Sequence, residues 1–164
     1  MNKLTKLYFC LSAILLALPA WAQEGVPSSS MSVAAQKLPA KSYVYKHSGG
    51  KPRELDVFFP PNHNPSQARV PGVVLFHGGA WVSGNRTRLR PICQYLASRG
   101  LVAVTVDYQM LSQKDAAALP QPETCKRVCI TDAKSAIRWT REHAAELGID
   151  PQKIITGGAR PAGI

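Results

Sequence analysis

Acidic side chains are few. The 164-residue chain has 10 Asp and Glu against 20 Lys and Arg, and no Asp, Glu or His follows Asp150. Long apolar runs are nearly absent as well: the single one lies at the very start, which excludes a multipass membrane protein. Metal-ligand spacing is missing, because Cys125 and Cys129 have no second Cys or His pair downstream. Phosphate-loop patterns are missing too, with neither Gly-x-Gly-x-x-Gly nor Gly-Lys-Ser/Thr present. Hydrophobic residues make up 45% of the chain, enough for a packed core and too many for wholesale disorder. The length suits about one domain.

Residues 1–22 read as a signal peptide. Lys3 and Lys6 precede the apolar run Leu11-Ser12-Ala13-Ile14-Leu15-Leu16-Ala17-Leu18, and the small-x-small triplet Ala20-Trp21-Ala22 follows. That run is shorter than the ~20 residues of a membrane span. Cleavage is expected after Ala22, giving a secreted or periplasmic protein with no stable membrane span. Losing two lysines and no acid takes the formal charge from +10 to +8. The densest basic cluster, Arg86, Arg88 and Arg90, has no interleaved aromatics. It therefore reads as a solvated basic surface suited to an acidic polymer or envelope, with no nucleic-acid partner. Export places Cys93, Cys125 and Cys129 in an oxidising compartment, where three thiols allow at most one disulfide. Cys125 and Cys129, expected in a loop ahead of a helix, are the candidate pair.

Residues 23–40, rich in Ser, Ala, Gln and Pro, read as a flexible leader, and residues 41–164 as the domain. Ser42-Tyr43-Val44-Tyr45 and Glu54-Leu55-Asp56-Val57-Phe58-Phe59 flank the turn signal Gly49-Gly50, which predicts an antiparallel hairpin. Val73-Val74-Leu75-Phe76 and residues 101–108 are continuous apolar runs, expected for strands buried on both faces. Between them Leu89, Ile92, Cys93 and Leu96 follow helical spacing, with Pro91 in the first turn and Gly100 at the end. Residues 110–126 read as an irregular connection. A second helix is expected from Thr131-Asp132 to Leu147, with Ala133, Ala136, Ile137, Thr140, Ala144 and Leu147 inward and Arg138 spaced to pair with Glu142. A third buried strand follows at Ile154-Ile155-Thr156. The order, a β-hairpin followed by β-α-β-α-β, predicts an α/β fold with a parallel sheet.

The chemistry concentrates in His77-Gly78-Gly79-Ala80-Trp81, directly after the strand ending at Phe76. Glycines there let the chain turn sharply and leave amide N–H groups free. Converging N–H groups can hold a developing oxyanion, worth roughly 3–4 kcal/mol per donor in a serine hydrolase. A plain Gly-rich turn is the alternative. His77 is expected to brace this loop, and Trp81 either walls an acyl pocket or packs on the sheet.

Together with Val104-Thr105-Val106-Asp107-Tyr108, Asp132-Ala133-Lys134-Ser135-Ala136-Ile137-Arg138-Trp139 and Leu147-Gly148-Ile149-Asp150-Pro151-Gln152-Lys153-Ile154, this tract resembles the secreted esterase and lipase branch of the α/β-hydrolase superfamily. The nearest groups are hormone-sensitive-lipase-like enzymes and carbohydrate acetyl or feruloyl esterases. Residues 42–159 carry the likeness. It implies the N-terminal part of an α/β-hydrolase fold, an oxyanion hole at His77, Gly78, Gly79 and Ala80, and a small-molecule or carbohydrate ester as substrate. No metal or organic cofactor is implied.

The resemblance also implies a Gly-x-Ser-x-Gly elbow after the third strand. Here the residues are Gly158-Ala159-Arg160-Pro161-Ala162, so Arg160 stands at the nucleophile position and Pro161 lacks the N–H that would complete the oxyanion hole. Acid and histidine follow the serine in this fold, yet none occurs after Asp150. His47, His63 and His143 fall in the hairpin, a loop and a helix surface. The abrupt departure predicts a frameshift or premature end at Arg160 and a chain without a triad. The expectation is an exported serine-type carboxylic-ester hydrolase, present as an inactive N-terminal part. The alternatives are a non-catalytic binding protein on the same fold and a peptidase of the superfamily. Asp107-Tyr108 reads as a structural turn, with a catalytic role as the alternative, and Asp132 as a helix start. Trp139 reads as a core contact, and Asn85-Arg86-Thr87 as either a glycosylation sequon or a helix cap formed by Thr87.

Overall fold

The structure, a computed structural model, describes residues 38–159. The expected signal peptide, most of the leader, and Arg160 with the residues after it lie outside that range.

Alternating residues pair as β1, Ala40–Ser48, and β2, Lys51–Phe58, joined antiparallel. Gly49 (φ 59°) and Gly50 (φ 70°) make the turn in the left-handed region, the geometry that matches strand twist in a two-residue hairpin. Leu38, inside the expected flexible leader, packs against the core cluster of Phe58, Val73, Cys93, Ala97 and Ala103.

The apolar runs become β3, Val70–Phe76, and β4, Val102–Val106, parallel neighbours linked by α1, Arg90–Ser98. Pro91 sits in the first turn of α1. At its end Gly100 (φ 91°) lets the Leu101 N–H reach the Leu96 carbonyl at 3.2 Å. The inner stripe of α1 is Cys93 and Ala97, whereas Ile92, expected inward, is 48% exposed. Small side chains on that stripe let α1 lie close to Ala103 of β4.

Residues 110–126 are less irregular than expected: a short helix α2, Gln113–Ala117, is capped by Ser112. The next helix, α3, starts at Cys125 rather than near Thr131 and runs to Glu142. Thr124 caps it, its side chain accepting from the Arg127 N–H at 3.2 Å. Cys125 and Cys129 therefore occupy successive turns of a helix, not a loop, and both are free thiols. The backbone breaks at His143 into α4, Ala144–Leu147, and Gly148 (φ 67°) turns it into β5, Ile149–Gly158. Arg138 and Glu142 form no ion pair; with the cation N-terminal to the acid, the i,i+4 geometry is the weaker one.

Strand order is β1-β2-β4-β3-β5, antiparallel through β2–β4 and parallel through β4-β3-β5. In β4, Val102, Val104 and Val106 join the cluster under α3 and α4, while Ala103 joins the cluster under α1. All five β4 residues are buried, which explains its continuous apolar run. β5 differs from the buried strand expected. It is an edge of the described sheet, with only Ile149 buried and Ile155 57% exposed. Among the described residues no helix is long and apolar enough to cross a membrane.

Candidate functional site

β3 ends at Phe76 and the chain enters a tight loop above the carboxyl ends of the parallel strands, where open α/β sheets bind their ligands. His77 is 3% exposed and lies flat on Tyr108, ring centroids 4.6 Å apart at 19°. Its Nδ1 donates to the Gly78 carbonyl at 2.9 Å. Its Nε2 is buried and has no hydrogen-bond partner among the described residues. The brace expected of His77 is thus formed with its own loop and with Tyr108.

Gly79 is indispensable to the turn. At φ 152° its carbonyl accepts from both the Val82 and Ser83 N–H groups at 3.0 Å, and a Cβ there would lie 1.5 Å from the Ser83 carbonyl oxygen. Gly84 (φ 119°) closes the loop, since a Cβ would lie 2.5 Å from His77 Nδ1. Between them Ala80 (φ 51°) and Trp81 (φ 71°) hold left-handed backbone, which costs a non-glycine residue roughly 1–2 kcal/mol. Strain of this kind collects at functional sites. Among the described residues, Gly78, Gly79 and Ala80 donate their N–H groups to no backbone carbonyl. Unpaired, adjacent N–H groups are the chemistry that steadies a carbonyl oxygen as it gains charge.

Beside this loop is a cavity of about 270 Å³ lined by Phe76, His77, Trp81, Tyr108, Cys129, Ile130, Ala133, Gly158 and Ala159. Trp81 is 39% exposed and forms part of its wall, so the pocket alternative describes it better than sheet packing. The cavity also gathers the end of β5: the Ala159 N–H donates to the Phe76 carbonyl at 2.9 Å. Arg160, next in the chain, lies outside the described residues. Cys129 borders the cavity with its thiol on the Gln109 carbonyl at 3.0 Å, and burial first, then Cys125 nearby, pushes its pKa up to about 11. Cys125 is not among the lining residues.

Sequence reasoning missed two charge clusters. Of the basic cluster, Arg88 and Arg90 are exposed as expected, but Arg86 is largely withdrawn from solvent, and both Arg86 and Arg90 are paired with acids. Arg86 reaches Asp56 at 2.9 Å, Glu54 at 2.7 Å and Asp107, and Arg90 reaches Asp56 at 2.8 Å. Asp56 is fully buried on β2, and Ser42 donates to it at 2.7 Å. Burial pushes its carboxyl up, but hydrogen bonds from Ser42, Arg90 and Arg86 together hold it below the usual carboxylate value. An acid inside the apolar alternation of Leu55-Asp56-Val57 was the available signal. Asp132, read as a helix start, sits inside α3 at 1% exposure and binds Lys46, Ser48 and the Gln109 N–H. Asn85, not Thr87, caps the 3-10 turn Arg86–Leu89. Trp139 packs against the core as expected, between Tyr43 and His143. Among the described residues no group of His, Cys, Asp and Glu is arranged to hold a metal ion.

Several proteins similar to this chain are esterases. The profile of the BD-FAE family matches residues 55–163. Esterase LipQ of Mycobacterium tuberculosis is 32% identical over 116 residues, which are 70% of this chain and 25% of LipQ. The arylesterase of Saccharolobus solfataricus is 33% identical over 103 residues, 62% of this chain and 30% of that enzyme. In three dimensions, esterase 2 of Thermogutta terrifontis superposes with a TM-score of 0.62 at 39% identity, over 77% of this chain and 41% of that one. The chain thus spans 25% and 30% of these two curated relatives' lengths. Its sheet is the corresponding part of their fold, and the chain belongs to the BD-FAE family of α/β-hydrolase esterases.

Proposed function

We propose that this chain is the oxyanion-binding part of an exported carboxylic-ester hydrolase of the serine type. The observation that carries the reading is the loop at residues 77–80. It stands at the carboxyl end of β3, keeps three N–H groups free of acceptors among the described residues, and flanks the cavity shared with the end of β5. In this reading Gly78, Gly79 and Ala80 donate to the carbonyl oxygen of the bound ester. In the whole enzyme a serine at the position Arg160 holds here would attack the carbonyl carbon, and the N–H groups would hold the resulting negative charge. His77, turned to Gly78, fixes the loop in this reading.

The cavity of about 270 Å³ suits a short acyl chain. Esterase 2 of Thermogutta terrifontis has been solved with propionate and with butyrate bound and phosphorylated by paraoxon, which supports short-acyl esters here. The N-terminal pattern of Lys3, Lys6, the run at residues 11–18 and Ala20-Trp21-Ala22 supports export.

This chain by itself has no nucleophile at the turn, because its last serine is Ser135 and Arg160 follows Ala159. It is expected to show no saturable hydrolysis of p-nitrophenyl acetate; turnover that survives Arg160→Ala would overturn the assignment of the nucleophile position. The positive test joins residues 38–158 to the part of Thermogutta terrifontis esterase 2 that follows its equivalent strand, elbow included. A cooperatively melting chimera that hydrolyses p-nitrophenyl butyrate supports the reading, and a cooperatively melting chimera without activity defeats it.

A further inference from the structure

The loop that presents the three free N–H groups is not held by its own length. Among the described residues, 78–84 hydrogen-bond only within the loop that starts at His77, mainly onto the Gly79 carbonyl. Its two ends are tied to one dipeptide at the end of β4. At the entry, the Tyr108 hydroxyl donates to the His77 carbonyl while its ring stacks on the imidazole. At the exit, Asp107 Oδ1 accepts from the Arg86 backbone N–H at 2.6 Å and Oδ2 from the Arg86 guanidinium. The Arg86 carbonyl in turn accepts from Thr105 Oγ1 at 2.9 Å, so side chain and backbone of Arg86 are both engaged. The dipeptide itself is fixed to the sheet. The Asp107 carbonyl takes the Tyr45 hydroxyl of β1 at 2.8 Å, and the Asp107 N–H donates to the Glu54 carbonyl of β2 at 2.9 Å.

We infer that Asp107 and Tyr108, acting with Arg86, are positioning residues that clamp both ends of the 77–86 loop and so set the direction of the Gly78, Gly79 and Ala80 N–H groups. The inference rests on reading those groups as an oxyanion site, and it assigns to Asp107-Tyr108 a role beyond that of a turn. Neither residue touches the reacting atoms. Their chemistry is to stop a strained segment from relaxing, since left-handed Ala80 and Trp81 would otherwise drift to commoner backbone. Arginine is required rather than any cation, because its planar fork meets Glu54, Asp56 and Asp107 at once.

The test measures backbone ¹⁵N order parameters in the full chain, with no ester present. Gly78, Gly79 and Ala80 are expected near the rigid value of about 0.85 in the parent chain and below about 0.6 in Tyr108→Phe, Asp107→Asn and Arg86→Lys. Amides of β3 and β4 should stay rigid in all three. Tyr108→Phe keeps ring and volume and loses only the hydroxyl, so it decides the matter if Asp107→Asn or Arg86→Lys fails to fold. Loop order parameters that stay at sheet values in Tyr108→Phe overturn the inference, whatever happens to the melting temperature. An inactive chimera alongside a loop that loosens on cue would defeat the esterase reading and leave the clamp standing.

Discussion

Lys46 of β1 places its ammonium 2.7 Å from Oδ1 of Asp132 on α3, a pair separated by 86 positions in sequence. Ser48 and the Gln109 N–H hold the other oxygen at 3.0 Å each. One buried carboxylate therefore fastens hairpin, helix and the segment after β4 together. Removing one partner of such a buried pair leaves polar groups stranded and costs about 3 kcal/mol or more. Asp132→Ala is expected to lower the unfolding free energy in urea by that amount, seen as a lower midpoint with an unchanged slope. A loss under about 1 kcal/mol would show that the cluster is ornamental to stability.

Asp56 predicts the acid limb of stability. Its carboxyl is held below 3.8 in the folded chain, against the ordinary value once unfolded, so the unfolded state binds the proton first. The contribution is complete above the unfolded value and is lost as pH falls from about 4 through the folded one. Asp56→Asn should flatten the decline of unfolding free energy below pH 4, at the expense of lower stability at pH 7. Parallel curves for parent and variant across pH 2–5 would contradict this.

Backbone strain at Ala80 is open to a direct check. Glycine adopts φ 51° without its cost, while its freedom in the unfolded chain returns roughly 0.4–1 kcal/mol. Ala80→Gly is expected to stabilise by about 0.5 kcal/mol, and Gly79→Ala to destabilise by several times that, because its Cβ meets the Ser83 carbonyl oxygen. Thermal melts of the two variants should move in opposite directions.

Thiol chemistry separates the three described cysteines. Burial raises Cys93 to about 12, and burial with Cys125 nearby raises Cys129 to about 11, so both stay protonated and shielded at pH 8. Cys125 is partly exposed. An aromatic disulfide reagent should label Cys125 rapidly and the other two only on unfolding. Equal rates for all three, or no reactive thiol at Cys125 without reductant, would refute the free-thiol arrangement.

The proposed export makes a simple prediction. Expressed with its own N-terminus in a secreting host, the protein recovered outside the cytoplasm should begin at Gln23. A product that still begins at residue 1 would remove the signal-peptide reading.

The hairpin, the β-α-β-α-β order and the glycine loop were legible along the chain because each is governed by neighbours in sequence. Gly49-Gly50 turns in left-handed backbone that glycine adopts without strain, and β4 is almost wholly apolar because helices cover both faces of its sheet. Boundaries read less well. The start of α3 depends on Thr124, whose capping role shows only once the helix forms. What tertiary structure alone decided was the fate of charge. Arg86 and Arg90 look like solvated cations in any local window, and Asp132 looks like a helix start. Their partners Asp56, Asp107 and Lys46 lie on other strands or just past the end of one, 21 to 86 positions away. Local periodicity reports whether a residue is apolar, but a Coulomb pair is set by distance in space, and that distance exists only after the sheet has assembled.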